Sequence, residues 1–253
     1  MFQKTEFSFR KVMESNLKNV FVLNTGRCGS TTFSKACQYM TNYTSGHELR
    51  VNEIGDSRLN YPTSHIEVDH NFCWMLGNLD QLYGNKAFYV HLVRDKQKVI
   101  KSTYKRWNYS FNSTRFFTQE VLGIVPELLS ESEKLAVVSQ ENETKTSAIN
   151  LFLLDKTNTI LIDIDDPKKA FTEFWNRIGA EGNLEKALLE FDVRHNENIT
   201  SAEAAFAEQA FKREIRAKIF RKRISEAPSS VQKLKLRCEL VLFKLTGLHS
   251  DLF

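Results

Sequence analysis

The stretch VFVLNTGRCGSTTF, residues 20–33, decides the fold of this chain. It opens with four apolar residues of β-branched, aromatic or aliphatic type, which are typical of a buried parallel strand. After a turn that contains two glycines, apolar residues follow with the i, i+3, i+4 and i+7 spacing of one helix face: Phe33, Ala36, Cys37 and Met40. The stretch therefore predicts a strand, a tight loop and a helix that begins near Ser30 or Thr31.

The loop of this stretch has the composition of an anion-binding site. Gly26 and Gly29 allow the backbone to turn tightly and to approach a ligand closely. The backbone N–H groups of residues 27–32 and the positive end of the helix would stabilise an oxyanion, and the Arg27 guanidinium can lie over it. Three hydroxyl groups add further donors: Ser30, Thr31 and Thr32. The Gly-Lys-Ser/Thr of nucleoside triphosphatases is missing, so the loop alone leaves an ordinary strand-to-helix turn as the alternative.

Two later segments repeat the strand-to-helix pattern. FYVHLV, residues 88–93, precedes a helical segment with four residues on one side: Val99, Ile100, Thr103 and Trp107. TILIDID, residues 159–165, precedes Pro167 and a helical stretch that ends in glycine. Three buried strands separated by helices predict an α/β three-layer sandwich with a central parallel sheet.

The length and composition of the chain suit one domain. The chain has 253 residues, of which 42% are hydrophobic, and this is enough for one sizeable core. No repeat, low-complexity tract or linker divides it. We therefore predict a single domain over residues 1–253, with a helical C-terminal segment of about 201–253 packed on it.

The charge and the cysteines limit the class of protein. With 35 basic and 31 acidic residues, the net charge of +4 favours an anionic ligand in a local pocket over a nucleic acid. Four cysteines without a Cys-x-x-Cys pair argue against a zinc site and a disulfide framework: Cys28, Cys37, Cys73 and Cys238. A polar amino terminus and the lack of an apolar run of about 20 residues predict a soluble, cytoplasmic protein without a membrane span.

A second anion-binding element follows the strand at residues 88–93. Arg94 stands at the carboxyl end of that strand, and Ser102 lies eight residues later, two turns into the next helix. Its side chain can face back toward the strand end, so the guanidinium and the hydroxyl would converge on one anion. The alternative is an ordinary surface pair between Arg94 and Asp95.

Together the two elements resemble a known family. TGRCGSTTF and HLVRDKQKVIKSTYKRW are similar to the 5′- and 3′-phosphate motifs of sulfotransferases that use 3′-phosphoadenosine-5′-phosphosulfate (PAPS). The resemblance covers residues 20–33 and 87–107, and residues 160–188 look more loosely like the late strand and helix of bacterial members. It implies a P-loop NTPase-like sulfotransferase fold and transfer of the sulfuryl group of PAPS to a hydroxyl, or as a second choice to an amine. Adenosine 3′,5′-bisphosphate would be released.

The resemblance also implies a role for each motif residue. The 5′-phosphosulfate would be held by the loop: Arg27, Cys28, Gly29, Ser30, Thr31 and Thr32. Arg94 and Ser102 would hold the 3′-phosphate, and Arg27 would stabilise the leaving oxygen without moving a proton. Cys28 stands where the family has a small residue, which favours space filling over thiol chemistry. A sulfuryl group carries less charge than a phosphoryl group, so no metal ligand is expected.

The sequence offers candidates in two segments for the base that takes the proton of the acceptor, and it does not decide between them. Glu48, 21 residues after Arg27, matches the glutamate of bacterial and Golgi-type members, and it is expected on a second strand that ends beside the first. Partial burial there would raise its pKa. His70, 24 residues before Arg94, matches the histidine of cytosolic members, and Asp69 or His47 are further candidates. In an extended segment, His47 and Glu48 would point to opposite faces.

Other interpretations remain beside this one. LIDIDD, residues 161–166, is either a metal-binding strand or, as we favour, a turn-forming strand end. RHNEN, residues 194–198, is either a ligand contact or a capped loop. A small-molecule kinase and a non-catalytic scaffold that binds PAPS are the alternative functions. The acceptor, whether a small molecule, a carbohydrate or a lipid, and the oligomeric state are not indicated by the sequence.

Overall fold

The fold is described from a computed structural model, which defines residues 19–109, 112–193, 195, 221 and 224–246. The chain divides into two compact units, Met1–His195 and Asn196–Phe253. The single domain over residues 1–253 stays a prediction.

The first unit contains a sheet of five parallel strands in the order β2-β3-β1-β4-β5. The strands are β1 (Asn19–Leu23), β2 (Thr44–His47), β3 (His65–Val68), β4 (Phe88–Val93) and β5 (Thr159–Asp163). The predicted α/β class and central parallel sheet are confirmed. The sequence had indicated β1, β4 and β5 by their apolar runs, and β5 ends two residues earlier than predicted.

Seven α-helices connect and cover these strands in the described part of the first unit. They are α1 (Ser30–Cys37), α2 (Leu76–Leu82), α3 (Lys96–Tyr104), α4 (Ser113–Phe116), α5 (Glu131–Leu153), α6 (Lys168–Arg177) and α7 (Leu184–Leu189). A π-helical turn, Phe117–Val121, continues α4, and a 3₁₀ helix, His70–Trp74, follows β3. The helix predicted after the glycine loop begins at Ser30, as expected.

Apolar side chains cover both faces of the sheet, because successive residues of a strand point to opposite sides. One face packs against α1 and α6 through a buried cluster that includes Val20, Val22, Phe88, Val90, Phe33, Phe171 and Phe174. The other face packs against the 3₁₀ helix, α2 and α5 through a second cluster that includes Phe21, Leu23, Tyr89, Phe72, Leu79 and Ile149. The sheet is thus a middle layer between helices.

The strand order places the carboxyl end of β1 at a change of direction. The chain moves from β1 outward to β2, returns to β3 beside β1, and then crosses to β4 on the other side of β1. In open parallel sheets, ligands bind outside the carboxyl ends of the strands at such a point. The loops after β1, β2, β3 and β4 therefore meet where a ligand site is expected.

The second unit contains helix α8, Ser230–Thr246, within its described residues. This agrees with the helical character predicted for the C-terminal segment, although residues 201–220 of that prediction lie outside the described part of the chain. Among the helices that the structure describes, none combines the length and the apolar character needed to cross a membrane.

Candidate active site

The loop between β1 and α1 adopts a conformation that only a few residues tolerate. Gly26, Arg27 and Gly29 have φ angles of 87°, 58° and 77°, all in the left-handed region. A Cβ atom on Gly29 would lie 2.4 Å from Ile164 Cγ1, so this position requires glycine. Gly29 precedes α1 and no side chain caps the helix. The first N–H groups of α1 have no partner within the helix, so they can bind an anion.

Two buried side chains stabilise the loop through hydrogen bonds with the backbone of Gly26. Asn24 Oδ1 accepts a hydrogen bond of 2.9 Å from the Gly26 N–H. Cys28 is buried, its thiol donates to Gly26 O at 3.2 Å, and burial raises its pKa. A protonated, buried thiol is a packing group, which agrees with the space-filling role expected for Cys28.

The structure joins the two anion-binding elements that the sequence indicated separately. Arg27 Nε donates a hydrogen bond of 3.0 Å to Ser102 Oγ, although the residues lie 75 positions apart. Arg94 Nη1 donates to Arg27 O at 3.3 Å. The Arg27 guanidinium thus lies toward α3 and Ser102. The sequence had suggested a different position, over the anion in the loop.

The guanidinium groups of Arg94 and Arg106 lie close enough to repel that of Arg27. Burial, followed by repulsion from Arg106 and then Arg94, lowers the pKa of Arg27 to about 10. Within the described residues, Arg27 and Arg106 take part in no ion pair, and Arg94 Nε is buried without a hydrogen-bond partner. An excess of positive charge with an unsatisfied buried donor fits an anionic ligand. The sequence analysis missed Arg106, although it stands four residues after Ser102, at the spacing of one helix face.

The acidic residues near Arg94 have structural roles. Asp95 caps α3 by accepting a hydrogen bond of 2.8 Å from Lys98 N, so the surface pair with Arg94 is not formed. Asp163 Oδ1 accepts a hydrogen bond of 2.9 Å from Asp165 N, as expected of a turn-forming strand end. Asp165 in turn lies 3.0 Å from Lys98 Nζ and 3.7 Å from Arg94 Nε. These contacts favour the turn interpretation of LIDIDD over a metal-binding strand.

Both candidate bases lie together beside the loop. His70 Nδ1 and Glu48 Oε1 are 2.7 Å apart, within hydrogen-bond distance. His47 Nε2 lies 2.8 Å from Ser30 Oγ and 3.8 Å from the same Glu48 oxygen. A Cβ atom on Gly26 would lie 3.7 Å from His70 Cδ2, so the imidazole borders the anion loop. The two alternatives of the sequence therefore form one hydrogen-bonded pair.

The expected geometry around Glu48 was wrong in two respects. β2 pairs with β3, so it does not end beside β1. β2 ends at His47, and Glu48 has a φ of 56°, so the two side chains do not alternate as in a strand and both reach the same cluster. A hydrogen bond of 2.9 Å from Leu49 N to buried Glu67 Oε1 stabilises this turn. A left-handed glutamate is strained, and such strain often marks a functional site.

The predicted rise in the pKa of Glu48 was also wrong. Burial alone would raise this pKa, but the hydrogen bond from His70 and the positive charges of His70, His47 and Arg58 outweigh it. The pKa of Glu48 therefore lies below its ordinary value. Glu48 is an ionised carboxylate at neutral pH and a weaker base than expected.

Asp69 is committed to a buried ion pair. Its carboxylate is fully buried against the Arg58 guanidinium, and its other oxygen accepts a hydrogen bond of 2.8 Å from Asn71 N. Potential metal-ligand atoms of Glu48, Asp69 and His70 lie within 4.8 Å of one another. A cation at this place would compete with Arg58 for the Asp69 carboxylate. These contacts favour a structural role for Asp69.

A cleft of about 540 Å³ borders the anion loop and Arg94. One wall is the carboxyl end of β4, and the other is formed by polar residues of α5: Asn142, Glu143, Thr146, Ser147 and Asn150. Of these only Glu143 is charged, and its carboxylate pairs with Lys96. Asn142 Nδ2 donates to Thr25 Oγ1 at 2.8 Å and so connects α5 to the loop. His91 lines the cleft, and burial lowers its pKa to about 4, so its imidazole is neutral. This cleft was not predicted from the sequence, although Asn142, Thr146 and Asn150 recur every four residues, the spacing of one helix face.

The neutral state of His91 predicts a loss of stability in acid. Its pKa is about 4 in the folded chain and 6.5 when unperturbed, so between these values only the unfolded chain binds the proton. As the pH falls from 6.5 to 4, the free energy of unfolding should drop by up to about 3 kcal/mol from this residue. Urea denaturation across this pH range should show a flatter dependence in His91→Asn than in the wild type. An unchanged slope in the variant would contradict this assignment.

The segment RHNEN is described only at His195. Its Nε2 is paired with Glu190, and its Nδ1 lies 3.0 Å from Lys35 Nζ. These contacts favour the capped-loop interpretation for this residue, and residues 194 and 196–198 lie outside the described part.

Comparison with known proteins adds no assignment. No protein-family model matches the chain, and no curated protein is significantly similar to it.

Proposed function

We propose that the protein transfers the sulfuryl group of PAPS to an acceptor hydroxyl, or as a second choice to an amine, with a P-loop-like sulfotransferase fold. The hydrogen bond between Arg27 and Ser102 carries this proposal. It connects an anion-binding loop to a second anion site at Arg94. A nucleoside 3′,5′-bisphosphate carries two anionic groups on one ribose, which suits two adjoining sites better than one.

The cleft next to Arg94 supports a nucleotide ligand. Its α5 wall offers amide and hydroxyl groups, and His91 offers a neutral ring nitrogen. Uncharged donors and acceptors of this kind suit a ribose and a base, whereas the arginines suit phosphates. We infer that the nucleoside part of the co-substrate lies toward this cleft.

The residues of the site divide the chemistry between them. Bound PAPS supplies an activated sulfuryl group on its 5′-phosphate. The loop N–H groups and Arg27 stabilise the negative charge that develops on the leaving 5′-phosphate oxygen. Arg94, Arg106 and Ser102 hold the 3′-phosphate, and the Glu48 and His70 pair lies on the acceptor side of the loop. Positive side chains thus supply the charge stabilisation that magnesium supplies in kinases.

An activity assay tests the proposal directly. The full chain is incubated with PAPS, a chelator and a panel of phenols, sugars, lipid alcohols and amines. We expect release of adenosine 3′,5′-bisphosphate and an acceptor mass gain of about 80 Da. Transfer from ATP that depends on added magnesium would support a kinase instead. Binding of the bisphosphate without turnover on any acceptor would indicate a non-catalytic scaffold.

A further inference from the structure

We propose that Glu48 and His70 act as one unit, in which His70 Nε2 takes the proton of the acceptor and Glu48 is the positioning residue. The inference rests on the proposed function and replaces two rival bases by a pair with different roles. It starts from the distance of 2.7 Å between His70 Nδ1 and Glu48 Oε1.

The hydrogen bond determines which nitrogen is available. An ionised carboxylate only accepts hydrogen bonds, so Nδ1 of His70 must carry the proton that it shares with Glu48. In a neutral imidazole this leaves the lone pair on Nε2. Within the described part of the chain, no hydrogen bond to His70 Nε2 is formed, and the side chain is 25% exposed. The free nitrogen is therefore accessible to an acceptor hydroxyl.

The orientation of the ring places this nitrogen beside the loop. His70 Cδ2, which is bonded to Nε2, lies next to Gly26 at the base of the anion loop. The other histidine is differently engaged, because His47 Nε2 lies 2.8 Å from Ser30 Oγ. The charged or titratable neighbours of the pair are His47, Arg58 and Asp69, and Asp69 is already paired with Arg58. His70 Nε2 is thus a proton acceptor that borders the loop and is not engaged by it.

The acidity of Glu48 supports the same division of roles. Its hydrogen bond with His70 and its positive neighbours hold its pKa below the ordinary value, which weakens it as a proton acceptor. The same negative charge stabilises an imidazolium and fixes the orientation of the ring.

The proposed reaction transfers one sulfuryl group to the acceptor and one proton to His70. The acceptor oxygen forms a bond to sulfur while the bond between sulfur and the 5′-phosphate oxygen breaks. The electron pair of the broken bond stays on the leaving phosphate oxygen, beside Arg27. The hydroxyl proton passes to His70 Nε2, and the Glu48 carboxylate offsets the imidazolium charge until the proton is lost to solvent.

Turnover of two variants distinguishes the two roles. With PAPS and an acceptor from the panel, His70→Asn should lose about 10²-fold or more in kcat, the usual contribution of a positioned base. Glu48→Ala should lose only about tenfold, because Nε2 remains but is less well oriented. The Kd of adenosine 3′,5′-bisphosphate should stay near the wild-type value in both, which also shows that both variants fold. The reverse order of the two losses, or normal turnover of His70→Asn, would overturn the inference.

The tautomer of His70 gives a test without catalysis. Nitrogen NMR of the full chain, with His70 assigned from its asparagine variant, should show a protonated Nδ1 and an unprotonated Nε2. Glu48→Ala should remove this preference, whereas Glu190→Ala, which disrupts the pair with His195, should leave it unchanged. A protonated Nε2 in neutral wild-type His70 would overturn the inference. If the wild type transfers no sulfuryl group, the proposed function fails, and this spectrum still tests the pair.

Discussion

Replacing Arg27 by alanine is expected to lower turnover by about 10²- to 10³-fold, the cost of removing one donor that stabilises developing charge. The backbone of Arg27 belongs to the anion loop and its Nε contacts Ser102 Oγ, so the side chain connects the loop with the proposed 3′-phosphate site. Alanine also removes one of three repelling cations, so the fold itself should not be destabilised strongly. The loss should therefore appear in kcat at saturating PAPS and not in the unfolding midpoint.

The matched control for this variant is Arg177→Ala. Arg177 is also partly buried, but its Nη1 donates to Thr159 O at the amino end of β5, whereas the loop lies at the carboxyl end of the strands. Its removal should change turnover by less than about twofold, as expected far from the site. Equal losses in both variants would show that the effect of Arg27 is structural.

The double substitution Arg94→Ala with Ser102→Ala is expected to weaken binding of adenosine 3′,5′-bisphosphate by about 10²- to 10⁴-fold. Charge-assisted hydrogen bonds contribute about 1.5–3 kcal/mol each, and two of them are removed. The buried Nε of Arg94, which has no hydrogen-bond partner in the described part of the chain, is the donor that a 3′-phosphate would satisfy. Binding of adenosine 5′-phosphate, which lacks that group, should change much less.

Titration calorimetry with both nucleotides measures this difference. Lys101→Ala is the control, because it removes a positive charge from the same helix at an exposed position next to Ser102. It should leave the ratio of the two affinities near that of the wild type. If the double variant loses affinity for both nucleotides equally, the assignment of the 3′-phosphate to Arg94 and Ser102 is wrong.

The parts of the fold that the sequence predicted are those with continuous apolar runs. β1 and β4 are buried almost throughout, so their residues are nearly all apolar and stand out from their surroundings. β2 and β3 are only four residues each, with the sequences TSGH and HIEV. Their polar side chains are satisfied by contacts between segments distant in the chain, such as the 2.8 Å contact of Thr44 Oγ1 with His65 Nδ1, which no local pattern reveals.

The candidate site, like the sheet, was predicted only in part from the sequence. The sequence placed the two anion motifs at the carboxyl ends of two strands, which are neighbours in the sheet, but it did not predict the contact of Arg27 with Ser102. The pairing of Glu48 with His70 was not predictable, because it depends on the left-handed turn after β2 and on buried Glu67 below that turn. Such a turn is fixed by packing of distant segments and not by the residues that form it.

The most direct test of the account is the binding of adenosine 3′,5′-bisphosphate to the full chain in the presence of a chelator. Calorimetry should give saturable binding at least roughly tenfold tighter than that of adenosine 5′-phosphate, because the 3′-phosphate adds charge-assisted hydrogen bonds. ATP should bind weakly, with or without magnesium. Tight binding of ATP that requires magnesium, with no preference for the bisphosphate, would contradict the account.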